Sequence, residues 1–306
     1  MTSAVVFAYH NVGVRCLSVL LDRGVHVSLL LTHENNPGEN VWFESVAELA
    51  ALHGLPVITP DDPNAAAVVA RIAALEPDFL FSFYYRLMLK PPLLAAPSRG
   101  AFNVHGSLLP RYRGRAPVNW AIIKGETETG ATLHVMQEKP DTGAIVDQQA
   151  VPILENDTAL DVFNKVTVAA ETVLYHALPR LIDGAATLTP QDLRQGGYFG
   201  GRKPEDGVIN WRNRAADIHN LVRAVAPPYP GASTVISGRP ARLLRTLWQR
   251  QRAARGPSPS VYVEDGSLFV DCGDNGVLQV LTLEIDGKII TAQDFRQRFG
   301  AAVQLV

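Results

Sequence analysis

Apolar residues in the first third of the chain fall in short runs separated by amphipathic stretches. Ala4 to Ala8 (AVVFA), Val25 to Leu31, Leu55 to Thr59 and Asp78 to Phe83 have the length of strands, and the first has the unbroken apolar character of one buried on both faces. Between them, Val14 to Asp22, Ser45 to His53 and Asn64 to Leu75 read as helices, with Gly24 and Gly54 placed to stop the first two. Thr32 to Asn40 is polar and loop-like. Strands alternating with helices at this interval predict a doubly wound, mostly parallel, Rossmann-like α/β sheet, whose ligands bind beyond the carboxyl ends of the strands. Those ends are Tyr9-His10-Asn11, Thr32-His33, Tyr84-Tyr85-Arg86 and, after a further run at 101–104, Asn103 with His105. The first strand is followed by Gly13 alone rather than by G-x-G-x-x-G, and there is no P-loop, which disfavours a dinucleotide or ATP in the usual place.

The pattern then changes. Thr129 to Met136 and Ala144 to Pro152 alternate apolar and polar, which predicts paired antiparallel strands. The turn-rich link between them, Gln137 to Gly143, brings one carboxylate, Asp141, near the sheet. Thr158 to Ile182 reads as a long amphipathic helix with Asp157 or Thr158 as its cap and Gly184 after it. Ala185 to Asp206, with GGYFGGRKPEDG, reads as a linker that separates a first domain at 1–184 from a second at 207–306. The second has one helix, Ala215 to Ala226, then short strands split by Ser237-Gly238, Glu264-Asp265-Gly266, Asp274-Asn275-Gly276 and Asp286-Gly287. That spacing predicts a small OB-like β-barrel, with Thr291 to Phe299 as a closing helix.

Composition narrows the class. With 306 residues, 47% of them hydrophobic, the chain can bury two cores. A formal net charge of −2 gives no global basic field for nucleic acid, although 1–200 carries a net −6 and 201–306 a net +4. Two distant cysteines, Cys16 and Cys272, offer neither a disulfide framework nor metal-ligand spacing, and suit a reducing cytoplasm. A strand begins almost at once, so no signal peptide is expected, and no apolar run is long enough to span a membrane.

Candidate chemistry gathers between Arg99 and Trp120, RGAFNVHGSLLPRYRGRAPVNW. Asn103 and His105 are two apart in a strand and therefore share a face. A carboxamide can hold a developing oxyanion, and an imidazole can move a proton. On their own, two such residues at a strand end also fit loop and capping roles. The longer string His105-Gly106-Ser107-Leu108-Leu109-Pro110, with Arg113-Gly114, Ala116-Pro117 and Asp141-Thr142-Gly143, resembles the folate-dependent formyltransferase family, whose pattern is Asn-x-His, SLLP, RG and P, then Asp-x-Gly. The resemblance implies that Asn103, His105 and Asp141 are catalytic, with no metal and no covalent intermediate. It implies 10-formyltetrahydrofolate as the donor, its pterin against the backbone of Leu87, Met88 and Leu89 and the loop Gln137, Glu138, Lys139, Pro140 and Asp141, with Arg115 near the donor.

Further segments point to an acceptor. FAYHNVG, NPGE within THENNPGE, SVAELA at 45–50, FSFYYR at 81–86, GETETGATLH at 125–134, GGRKPEDG…W at 200–211 and NLVRAVAPPYPGA at 220–232 resemble the branch that formylates UDP-4-amino-4-deoxy-L-arabinose, a step of lipid A modification and polymyxin resistance. The oxidative decarboxylase domain found in some members of that branch is absent, so only the transferase activity is expected. A UDP-sugar needs cations for its pyrophosphate, and Arg86, Arg113 and Arg202 are the candidates, with Tyr9 and His10 facing the sugar. The alternatives are another nucleotide-linked amino sugar, or the acceptor of methionyl-tRNA formyltransferase. For tRNA speak Arg242, Arg245, Arg250, Arg252 and Arg255 in the basic C-terminal part. Against it speaks the stretch 34–44, which carries Glu34, Glu39 and Glu44 and no Lys or Arg. No nucleic-acid partner is therefore expected. A binding module without catalysis predicts that one of Asn103, His105 and Asp141 is missing.

Overall fold

Every position from Ala4 to Ala8 is buried, and so is every position from Phe79 to Phe83; these two runs form the centre of a sheet covered on both faces. The computed structural model describes residues 1–36, 38 and 40–305; Pro37, the expected acidic Glu39 and Val306 lie outside the described residues. In chain order the first part has β1 (Ser3–Ala8), α1 (His10–Asp22), β2 (His26–Leu31), α2 (Val46–Leu52), β3 (Val57–Ile58), α3 (Ala66–Ala73) and β4 (Phe79–Phe83). It continues with α4 (Pro91–Leu94), β5 (Ala101–His105), β6 (Arg113–Gly114), α5 (Pro117–Ile123), β7 (Glu128–Val135), β8 (Ile145–Pro152), α6 (Ala159–Ile182) and β9 (Tyr198–Phe199).

The main sheet runs β3-β2-β1-β4-β5-β7-β8. Pairs from β3 to β5 are parallel; β5–β7 and β7–β8 are antiparallel. This is the α/β architecture expected from the alternation of strands and helices. Strand order reverses at β1, which opens a crevice at the carboxyl ends of β1 and β4. Phe79, Phe81 and Phe83 alternate along β4, with ring centroids 5.6 and 5.7 Å apart, and Phe81 also lies 6.0 Å from Phe102 of β5.

Local chemistry sets the element ends. Ser45 caps α2 by accepting from the Glu48 amide, and Thr158 and Asp161 exchange bonds at the start of α6. The expected loop Tyr9–Gly13 is shorter in the structure: α1 begins at His10, whose φ of +67° makes the turn in one residue. Residues 185–200, expected as part of a linker, cluster with the first unit. There β9 pairs in parallel with β6, Arg113 against Tyr198 and Gly114 against Phe199.

The second unit comprises 118–127, 153–163 and 201–306. It holds α7 (Ala215–Ala224), β10 (Ala232–Ile236), β11 (Arg239–Trp248), β12 (Ser260–Glu264), β13 (Ser267–Asp271), β14 (Val277–Ile285), β15 (Lys288–Ile290), α8 (Ala292–Phe299) and β16 (Ala302–Gln304). The sheet order is β10-β11-β14-β13-β12-β16, with β15 on β14. Among the described residues its end strands, β10 and β16, do not pair, so the expected barrel is an antiparallel half-barrel. Three of the turn signals are two-residue hairpins with both residues at positive φ: Ser237-Gly238, Asp265-Gly266 and Asp286-Gly287. This is the type I′ geometry that matches strand twist. Trp211, Ile218, Val222, Leu278 and Phe295 lie in the core, and the Trp211 indole donates to Thr234 at 2.8 Å. No helix among the described residues is long and apolar enough to cross a membrane.

Phe81 has no exposed surface. Phe81→Ala is expected to remove about 3–5 kcal/mol of stability, read from urea unfolding followed by fluorescence. A loss under about 1 kcal/mol would show that β4 is not the packed centre of the sheet.

Candidate active site

The parallel strands deliver their carboxyl ends to one edge, and a cleft of about 500 Å³ opens there. Tyr9 and His10 follow β1, Tyr84 to Leu89 follow β4, and Asn103 and His105 come from β5. The segments Gly114–Pro117 and 137–141 contribute Arg115, Gln137, Pro140 and Asp141. The expected carboxamide, imidazole and carboxylate thus line one cavity.

The hydrogen bonds fix how each group is presented. His105 Nε2 is 2.8 Å from the carbonyl of Tyr112. A carbonyl only accepts, so Nε2 carries the hydrogen and Nδ1 is the bare nitrogen of the neutral ring. Nδ1 lies 3.5 Å from Asp141 Oδ1. The other carboxylate oxygen, Oδ2, accepts from the Gly114 amide at 2.8 Å. Asp141 sits at φ +56°, and Gln191 Nε2 holds this turn by donating to the carbonyls of Asp141 at 3.2 Å and Gly143 at 2.6 Å. A Cβ on Gly143 would stand 1.9 Å from the Val135 carbonyl, so only glycine lets the turn lie against β7.

The loop between β5 and α5 is braced by the strand pair β6–β9. A Cβ on Gly114 would meet the Phe199 carbonyl at 2.2 Å, and one on Gly196 the Pro110 carbonyl at 1.9 Å. The Tyr112 and Phe199 rings stack at 5.0 Å. His10, Tyr84, Ala116 and Asp141, all lining the cleft, have φ between +51° and +67°. Left-handed backbone at non-glycine residues costs about 1–3 kcal/mol each and gathers at functional sites.

His134 is a site residue that reasoning on single motifs did not reach. It faces Asn103 across the β5–β7 ladder and is 2% exposed. Its Nδ1 lies 2.9 Å from the Val135 carbonyl, its Nε2 3.1 Å from Asn103 Nδ2 and 3.6 Å from Asp141 Oδ1. Burial pushes this imidazole below its ordinary 6.5; the Asp141 charge opposes that shift, and His105 adds to it. The alternation of Thr132 and His134 on β7 was the available signal, because antiparallel pairing turns that face toward Asn103.

The other expected residues divide. Leu87, Met88, Leu89, Arg115, Gln137 and Pro140 line the cleft, whereas Glu138 and Lys139 do not. Asn64 clamps the 88–90 turn, donating to the Met88 carbonyl at 2.9 Å and accepting from the Lys90 amide at 2.8 Å. Of the arginines expected at a pyrophosphate, Arg86 lines the cleft and lies 4.4 Å over the Tyr9 ring. Arg113 is not among the lining residues: it is buried, donating to the carbonyls of Leu193 and Gly196. Arg202 belongs to the other unit, over the Trp120 ring at 5.0 Å. His10 stacks on Phe43 at 4.0 Å and meets Trp42 edge-on at 4.6 Å, so its ring, which lines the cleft, is packed against two other aromatic rings. Among the described residues no group of three or more His, Cys, Asp or Glu could hold a metal ion.

A cleft at the end of a Rossmann-like sheet that gathers an amide, an imidazole and a carboxylate has the groups that acyl transfer calls for. Residues 22–178 match the family model described as formyl transferase, and residues 202–300 match that of the formyl transferase C-terminal domain. The chain belongs to the formyl transferase family. Its fold is shared with an N-formyltransferase from Helicobacter canadensis in complex with folinic acid and dTDP-3-aminofucose, at 22% identity over 92% of this chain and 99% of that one, with a TM-score of 0.74. It is also shared with WlaRD, a sugar 3N-formyl transferase crystallised with dTDP and 5-N-formyl-THF, at 20% identity over 94% and 99%, with a TM-score of 0.71. HypX from Aquifex aeolicus in complex with tetrahydrofolic acid gives 18% identity and a TM-score of 0.63, and there this chain spans 47% of the longer protein.

The depressed His134 makes stability acid-sensitive. Below about pH 6.5 the unfolded chain takes up a proton that the folded ring resists, so this contribution is complete above that pH and is lost as pH falls toward the folded value. The urea midpoint of His134→Gln is expected to fall less between about pH 7 and about pH 5 than that of the unaltered protein. Equal declines would remove His134 from the acid response.

Proposed function

We propose that this protein transfers the formyl group of 10-formyltetrahydrofolate to the amino group of a nucleotide-linked sugar, and that its acceptor is UDP-4-amino-4-deoxy-L-arabinose. The observation that carries the reading is the approach of Asp141 Oδ1 to His105 Nδ1, 3.5 Å, in a cleft that Asn103 also lines. The amine nitrogen attacks the formyl carbon and the carbonyl oxygen becomes an oxyanion, to which Asn103 donates. His105 Nδ1 takes the proton lost by the amine, while its Nε2–H stays on the Tyr112 carbonyl. Asp141 stabilises the resulting imidazolium by its charge. The proton then passes to N10 of the folate as the carbon–nitrogen bond breaks, which returns the imidazole to its neutral form.

For the donor, the reading assigns the backbone of Leu87, Met88 and Leu89, the loop residues Gln137, Pro140 and Asp141, and Arg115. For the acceptor it assigns Tyr9, His10 and Arg86. The folate and dTDP-sugar ligands of the structures that share this fold support the donor and the general class of acceptor. The finer choice of UDP-4-amino-4-deoxy-L-arabinose rests on the resembling segments, from FAYHNVG to NLVRAVAPPYPGA. The same reading places the enzyme in the cytoplasm, in lipid A modification, with a catalytic domain at 1–184 and the second domain at 207–306.

A panel of UDP- and dTDP-linked amino sugars, each incubated with 10-formyltetrahydrofolate and followed by mass spectrometry, separates the levels of the proposal. UDP-4-amino-4-deoxy-L-arabinose is expected to turn over fastest. A faster dTDP sugar would overturn the finer assignment, and no formylated product at all would overturn the transferase reading. Asn103→Ala should lower kcat by about 10²–10³-fold and His105→Ala by about 10²–10⁴-fold, with unfolding midpoints preserved. Activity within a few-fold of normal in either variant would remove that residue from the mechanism.

A further inference from the structure

We propose that His134 is a positioning residue that sets the rotamer of the Asn103 carboxamide, so that an amide hydrogen rather than the amide oxygen is presented to the reacting carbonyl. The inference rests on the transferase reading for its kinetic consequence, but its geometry stands alone.

Two contacts define the ring. Val135 offers His134 Nδ1 a carbonyl, 2.9 Å away, which can only accept. Nδ1 therefore bears the hydrogen, and Nε2 of the neutral ring has a lone pair. Asn103 Nδ2, 3.1 Å from that lone pair, can only donate. The two bonds require the same tautomer, and together they commit one of the two Nδ2 hydrogens to His134. The second hydrogen stays on the amide, on a residue that lines the cleft. Rotating the carboxamide by half a turn would set Oδ1 against the His134 lone pair, two acceptors face to face, and would put an acceptor where an oxyanion needs a donor. Asp141 Oδ1, 3.6 Å from Nε2, is likewise an acceptor and cannot replace the amide as a donor to this ring.

Register supplies the position: Asn103 is opposite His134 on adjacent antiparallel strands, so each backbone holds its own partner in place. Burial supplies the protonation state, since a ring 2% exposed resists charging. A donor misdirected by a rotamer change is lost to the transition state much as a deleted one is, and preorganised donors act at the oxyanion only where they already point at it.

The test uses the full chain with 10-formyltetrahydrofolate and the acceptor that reacts fastest in the panel. His134→Leu removes the acceptor at similar bulk, and His134→Gln restores one. His134→Leu is expected to lower kcat by about tenfold or more with KM for both substrates within about twofold, and His134→Gln to recover most of that loss. In the Asn103→Ala background, His134→Leu is expected to cost little more, since the group it orients is already gone. Equal kcat in His134→Leu and the unaltered protein, an equal loss in the Leu and Gln variants, or a full additional loss in the Asn103→Ala background would each overturn the proposal. An independent measurement needs no turnover: nitrogen-15 spectra of the imidazole should show Nδ1 protonated and Nε2 bare at neutral pH. The opposite tautomer would overturn the proposal even in an active enzyme. Absence of turnover on every acceptor, with the expected tautomer observed, would count against the transferase reading and leave the side-chain arrangement standing.

Discussion

The site depends on one carboxylate held out of bulk water. Asp141 keeps 11% of its side chain exposed and lies between two imidazoles, at 3.5 Å from His105 and 3.6 Å from His134. A carboxylate in such surroundings is tolerable only where hydrogen-bond donors and opposite charge offset its lost hydration. The Gly114 amide supplies a fixed donor to Oδ2. Oδ1 is left facing Nδ1 of His105, a nitrogen without a hydrogen in the neutral ring. A hydrogen on that nitrogen would point at the carboxylate, so the geometry of the pair is fixed by the bond that His105 Nε2 makes to Tyr112.

The arrangement draws on parts of the chain far apart in sequence. Gly114 can reach Asp141 only because β6 lies along β9, and β6 can do so only because Gly114 and Gly196 have no side chain where a carbonyl passes. Arg113 locks the same brace by donating to Leu193 and Gly196. The segment after α6 therefore sets the loop that holds the carboxylate. A cation that reads as a phosphate ligand in the sequence is occupied in holding this brace.

These features explain which parts of the molecule were legible in the sequence. Strands β1, β2 and β4 could be read because burial on both faces leaves long apolar runs, and the hairpins of the second unit because type I′ turns need residues that accept positive φ. The trio Asn103, His105 and Asp141 could be read only through the longer resembling motif, because two residues at a strand end and one in a turn also fit loop and capping roles. The early start of α1 was hidden, since it depends on His10 adopting a left-handed backbone that nothing in its side chain announces. The pairing of β6 with β9 was hidden because two-residue strands have no periodicity to detect. The structural occupation of Arg113 was hidden because its partners are main-chain carbonyls 80 and 83 residues away. His134 was visible only as one letter of a resembling segment, because its partner is fixed by antiparallel register and not by spacing.

The two imidazoles beside Asp141 are not equivalent in their hydrogen bonds. His134 gives its hydrogen to the carbonyl of Val135 and its lone pair to an amide, so both nitrogens are engaged while the ring is neutral. Charging it would break the bond to Asn103, and burial lowers its proton affinity. His105 gives its hydrogen to the carbonyl of Tyr112 and turns a bare nitrogen toward the carboxylate. The bare nitrogen of His105 thus faces a carboxylate, whereas that of His134 is already taken by the Asn103 amide. Two rings of the same type, flanking one carboxylate, turn different nitrogens toward it because each has already committed the other to the backbone.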